Sequence, residues 1–152
     1  MLFKQNNKIC NGLAPISVST TGTGDYISMK NYNHFTCLLH IGVNSATGTT
    51  VNLSKATSTT GAGATNATFW YAYNTSATTG DTWTETTGGT SITVTSGSGY
   101  LYSIELDGAS LGDYDCLALK VSPDSGALLA SYTYILSEPR YADGAMPTAI
   151  TD

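Results

Sequence analysis

Apolar and polar residues alternate with a period of two along most of this chain. The clearest run spans residues 35–43: Phe35, Cys37, Leu39, Ile41 and Val43 fall on one face, and Thr36, Leu38, His40 and Gly42 on the other. That pattern predicts a half-buried strand with the first set turned inward. Residues 16–19, 26–29, 51–54, 68–73, 82–85, 92–94, 100–106, 116–121 and 128–136 behave likewise. Together they predict roughly eight to ten short strands.

Turn-forming clusters, rather than helical segments, separate these runs: residues 21–25, 59–64, 79–81, 87–89, 96–99 and 123–126, all containing glycine. Glycine supplies positive φ in such turns, and Asp or Ser caps the local backbone. Apolar residues nowhere recur at helical spacing over more than a turn, and residues 107–113 read as a turn or a single 3₁₀ loop. An all-β chain of evenly spaced strands builds a sandwich, jelly roll or barrel. We expect a single antiparallel β-sandwich or jelly-roll-like domain over residues 16–136, with an N-terminal arm at 1–15 and an extended C-terminal arm at 137–152. Pro139 and Pro147 stop both helix and central strand in the second arm. The arms carry isolated apolar side chains: Phe3, Ile9 and Leu13 at the front, Tyr141, Met146 and Ile150 at the back. Such residues have surface to bury, on the domain itself or on a neighbour, and these six are the expected partner-binding residues.

Composition narrows the classes. Of 152 residues, 41% are apolar and only 11% charged, so there is enough to bury in one domain and no charge excess to keep it disordered. Six basic against eleven acidic residues give a formal net charge of −5. That offers no cationic surface to a phosphate backbone, so nucleic acid is not an expected partner. No run approaches the ~20 apolar residues of a membrane span, and the first residues lack the apolar centre of a signal peptide. A reducing cytoplasm is the expected place of synthesis, with Cys10, Cys37 and Cys116 as buried free thiols, because their number is odd and their spacing matches no zinc site.

Candidate chemistry is sparse. His34 and His40 share a strand face but stand about 20 Å apart along it, too far for one metal ion. Glu105, Asp107, Asp113 and Asp115 form an acidic cluster without the spacing of a calcium loop, which fits carboxylates bonding nearby N–H groups in a turn. Neither Gly61-Ala62-Gly63 nor Gly97-Ser98-Gly99 precedes the Lys-Ser/Thr of a phosphate cradle, and no GxSxG elbow occurs. Glu85 and Glu105 are the strand-borne glutamates a glycoside hydrolase would need, and nothing places them together. We therefore expect no catalytic residue, no metal and no cofactor. The aromatic run Phe69-Trp70-Tyr71-Ala72-Tyr73 puts Phe69, Tyr71 and Tyr73 on one face and Trp70 on the other. The simplest assignment makes Trp70 core and the tyrosines a partly wet rim. Tyr100 with Tyr102 and Tyr132 with Tyr134 repeat that spacing.

Several phrases carry a family likeness: residues 30–34, 100–107, 112–121 and 134–141, with the closing Pro147-Thr148-Ala149-Ile150. Over residues 26–55 and 100–152 the chain resembles small virion proteins of tailed bacteriophages that are encoded among capsid genes. The resemblance implies an auxiliary head protein of the decoration or cement type, without marking any functional residue. Its expected partners are the major capsid protein and neighbouring copies of itself, as a trimer or dimer, on the capsid exterior after synthesis in the host cytoplasm. Arms that add a strand to a neighbour's open edge suit that task. Two alternatives belong to other classes: a head fibre or glycan- and receptor-binding module that stacks Trp70, Trp83 and tyrosines on sugars, and a head–tail connector or tail component.

Overall fold

The computed structural model describes residues 3–75, 80–140 and Ala149. Its strands are β1 (Lys8–Val18), β2 (Gly22–Thr23), β3 (Ile27–Ser28), β4 (Tyr32–Asn44), β5 (Thr49–Ala56), β6 (Thr65–Asn66), β7 (Phe69–Asn74), β8 (Thr84–Gly89), β9 (Ile92–Val94), β10 (Gly97–Asp107), β11 (Cys116–Pro123) and β12 (Leu128–Pro139). Short 3₁₀ turns cover Phe3–Gln5 and Gly108–Leu111, the second inside the segment predicted as one.

Two antiparallel sheets pack face to face. The first runs β1-β12-β4-β10-β7-β8; the second runs β2-β11-β5-β6, with β3 also on β11 and β9 also on β5. Few neighbours are sequential, β7–β8 and β5–β6 among them, so the sandwich is held mainly by long-range pairings. Its interior is filled from both sides: Phe35, Cys37, Leu39 and Ile41 of β4, Ile104 and Leu106 of β10, Tyr132, Tyr134 and Leu136 of β12, against Leu117, Leu119 and Val121 of β11 and Val51 and Leu53 of β5. All three cysteines are buried free thiols, and burial raises their pKa, that of Cys116 to about 12.

The structure departs from the sequence reading along β4 and at both ends of the domain. Val43, expected inward with Ile41, is 67% exposed, and Asn44 is buried in its stead. The cause is a register shift against β12, where Leu128 faces Asn44 and Ala130 faces Ile41: an extra β4 residue in the ladder reverses the parity beyond it. At the front, strand begins at Lys8, inside the stretch expected as an arm. Residues 8–15 form the first part of β1, paired with β12 from Lys8↔Leu136 onward, with register shifts around Gly12 and between Leu13 and Ile16. At the back, residues 137–139 likewise belong to β12.

One interior contact ties the sheets together through polar atoms. β2 pairs with Lys120 and Val121 of β11, β3 with Cys116 and Leu117, and the ladder is broken between them. Two tyrosines from the opposite sheet fill the break. The Leu119 N–H donates to the Tyr134 hydroxyl at 2.9 Å, and the Tyr132 hydroxyl donates to the Leu119 carbonyl at 2.9 Å. That carbonyl also accepts from the Gly24 N–H at 3.2 Å. Each bond contributes about 1 kcal/mol net, but a buried N–H left without its acceptor costs about 1–3 kcal/mol. Gly12 and Gly24 make room: a Cβ on Gly12 would lie inside the Tyr132 ring, and one on Gly24 would lie 2.7 Å from the Tyr132 hydroxyl.

Candidate interaction surfaces

The first sheet turns one face away from the second. Because alternate residues of each strand enter the core, the others line up in cross-strand rows on this outer face. One row runs Ile9, Ile135, Thr36, Glu105, Trp70, and the next Asn11, Thr133, Leu38, Ser103, Ala72, Glu85. Trp70 is therefore not a core residue: it is 48% exposed, and Phe69 takes the inward position beside it. Phe69 has no hydroxyl to keep wet, so burying its ring and those on its parity is the cheaper choice.

The outer face gathers His34, Glu105 and Asp107 at one end, with His40 three rows further along β4 and Glu85 on β8. His34 Nδ1 lies 2.8 Å from Asp107 Oδ1, and His34 Nε2 lies 3.5 Å from Glu105 Oε2. The Ser103 hydroxyl donates to the other Glu105 oxygen at 3.1 Å. Glu85 shares this face but pairs with Ala72 on the far side of β7, whereas Glu105 pairs with Trp70. The remaining acids point elsewhere: Asp115 pairs with Lys30 at 3.0 Å and accepts from the Cys116 thiol at 3.2 Å, and Asp113 is exposed. Among the described residues, no three His, Cys, Asp or Glu side chains are placed to hold a metal ion, and no helix is long and apolar enough to cross a membrane.

Of the expected partner-binding residues, Ile9 is 50% exposed on the outer face and Phe3 is 60% exposed in the 3₁₀ turn before β1. Leu13 is partly buried and packs on the protein's own core. Tyr141, Met146 and Ile150 lie outside the described residues. Within the C-terminal segment, Ala149 is buried, and its carbonyl accepts from the Ser28 N–H of β3 at 2.8 Å, so this point of the segment is fastened to its own domain.

A second surface lies on the inner side, where β7 and β10 overhang β9. Tyr73 sits opposite Tyr102 in register, and their rings stack at 5.9 Å with 28° between planes. Tyr71 adjoins both, at 6.1 Å from Tyr73 and 6.5 Å from Tyr102. With Tyr100, Thr75, Ile92, Thr93 and Thr95 they line an open cleft of about 290 Å³. Burial, together with the neighbouring Tyr100, Tyr71 and Tyr73, pushes the Tyr102 hydroxyl up to about 12. Tyr100 is anchored by its hydroxyl donating to the Ser96 carbonyl at 3.3 Å, over Gly97, where any side chain would collide with it. The tyrosine spacing was visible in the sequence; the pairing of β7 with β10 that assembles them was not.

These features define an all-β sandwich with an uncharged aromatic cleft and an exposed outer sheet face. No protein-family model matches the chain, and no curated protein matches its sequence. The fold is similar to that of the SPBc2 prophage-derived protein YomS, known from a crystal structure: TM-score 0.51 at 11% identity, covering 87% of this chain and 95% of that one.

Proposed function

We propose that this chain is a non-enzymatic structural protein of a bacteriophage virion, of the capsid decoration or cement type. Its partners are the major capsid protein and neighbouring copies of itself, and its place is the exterior of the head. The observation that carries the proposal is the outer face of the first sheet: Ile9, Ile135, Leu38 and Trp70 stand on it among Thr and Ser, with few charges to desolvate on contact. The family resemblance and the fold shared with a prophage-derived protein point the same way. An enzymatic alternative gains little, because Glu85 and Glu105 stand on opposite sides of β7 and out of step.

Electron microscopy of particles made with and without this chain tests the proposal. Density on the outer lattice that disappears without the chain supports it, and Ile9→Asp or Trp70→Asp should reduce that occupancy. Density confined to the connector, the tail or a fibre, or particles that never contain the chain, would overturn it.

A further inference from the structure

The cleft between β7, β10 and β9 has no part in the lattice contact proposed above, and its chemistry is specific. Four tyrosines and three threonines line it, with Ile92 as the apolar exception and no ionisable amine or carboxylate. We infer that it is a binding site for a neutral saccharide, the terminal sugar of a glycan, packed on the half-buried Tyr73 ring and hydrogen-bonded by the surrounding hydroxyls.

A pyranose offers a C–H face and a rim of hydroxyls, and it needs an apolar plane beneath it and groups around it that both donate and accept. The Tyr73 ring, stacked on the buried Tyr102 at 28° between planes and flanked by Tyr71 at 32°, is held in place with part of its surface open to the cleft. Tyr and Thr hydroxyls each serve as donor and acceptor. The lining is firm, since Tyr102, which backs Tyr73, is buried and Tyr100 is held to the Ser96 carbonyl. Ligand sites usually span about 300–1,000 Å³; at about 290 Å³ the cleft suits a terminal sugar better than an extended chain.

Other ligand classes fit less well. A nucleotide or an acidic sugar would want a cation, and the lining has none. An acyl chain would want apolar walls on every side. A quaternary ammonium ion is recognised by rings that box it in, whereas the Tyr73 and Tyr102 rings lie nearly parallel.

The test is ligand-observed NMR on the full chain, with four separate probes: glucose, galactose and N-acetylglucosamine as neutral sugars, and choline chloride as the cation. A glycan array then extends the panel to neutral and sialylated oligosaccharides. At least one neutral sugar is expected to bind through its ring protons, and Tyr73→Ala should weaken it by about tenfold, the scale of one lost stacking contact. Thr75→Trp, at an exposed position just after β7 and on the parity of Tyr71 and Tyr73, fills the cleft and should abolish binding without disturbing the core. Trp70→Ala, on the opposite face of the sheet, should leave binding unchanged. The inference is overturned if no neutral sugar binds at millimolar concentration, if only choline or sialylated glycans bind, or if Thr75→Trp binds as well as the parent. Particle occupancy is scored separately, so loss of sugar binding with intact occupancy touches the cleft alone.

Discussion

Two groups of tyrosines in the same sheet have opposite fates. Tyr132 and Tyr134 sit mid-sheet on β12, wholly buried, and spend their hydroxyls on the backbone of Leu119 across the sandwich. Tyr71, Tyr73, Tyr100 and Tyr102 sit on β7 and β10, where the second sheet narrows to β9, and three of the four keep part of their rings in the open. The residue type is the same; what differs is the width of the opposing sheet. A hydroxyl that meets a broken ladder becomes structure, and one that meets open space is left for a ligand.

The glycines beneath the two groups give the sharpest way to break the comparison. Gly12→Ala drives a methyl into the Tyr132 and Tyr134 rings, which have no free direction to move, and should cost about 1–3 kcal/mol or more in denaturant unfolding. Gly97→Ala meets only the hydroxyl end of the half-exposed Tyr100, which can swing outward, and should stay near ±0.5 kcal/mol. Equal losses at both positions would erase the distinction.

Hydroxyl removal comes next. Tyr134→Phe strands the Leu119 N–H and should cost about 1–3 kcal/mol. Tyr132→Phe should cost less, because Gly24 still bonds the Leu119 carbonyl. Tyr73→Phe, at the cleft, should change stability by no more than about 0.5 kcal/mol. The reverse order would show that the clasp is not what joins the sheets.

Alkali provides a subtler probe. Burial favours the protonated Tyr102 hydroxyl, raising it from 10.0 to about 12 in the folded state. Between those values the unfolded chain has released this proton and the folded chain still holds it, so stability falls as pH rises. The contribution is whole below about pH 10 and is gone once pH passes about 12. Tyr102→Phe should make the fall in melting temperature over that interval shallower without abolishing it, because burial raises Tyr134 too. An unchanged slope would remove Tyr102 from this account.

The smallest effect concerns a hydroxyl that found neither fate. Thr49 is buried, and among the described residues its Oγ1 has no hydrogen-bond partner. Thr49→Val keeps the shape, removes an unsatisfied group and should raise stability by up to about 1 kcal/mol; a loss would show that the hydroxyl is bonded in solution.

The long strands were legible where their faces differ in polarity: β4 as far as Ile41, β10 from Tyr102 onward and β12 follow the alternation that predicts them, whereas β11 buries Cys116 to Leu119 on both faces. The start of β1 was not. Its apolar residues Ile9 and Leu13 are offset by the register shift at Gly12, and Pro15 reads as an end of strand although it sits within β1 at the sheet edge. Trp70 was misplaced because parity says which residues share a face, not which face is inside; Phe69, the ring without a polar atom, held that information. The cleft depends on the Tyr73↔Tyr102 pairing, a long-range contact that no local pattern encodes.

The place of β12 governs how the molecule must be made. It lies between β1 and β4 in the first sheet, so Lys8 waits for Leu136 before either can pair. A nascent chain therefore leaves the ribosome with both flanking strands open, and the sandwich closes only when β12 arrives. Synthesis that stops short of residue 128 would release a sticky, unfinished sheet in place of a smaller working protein.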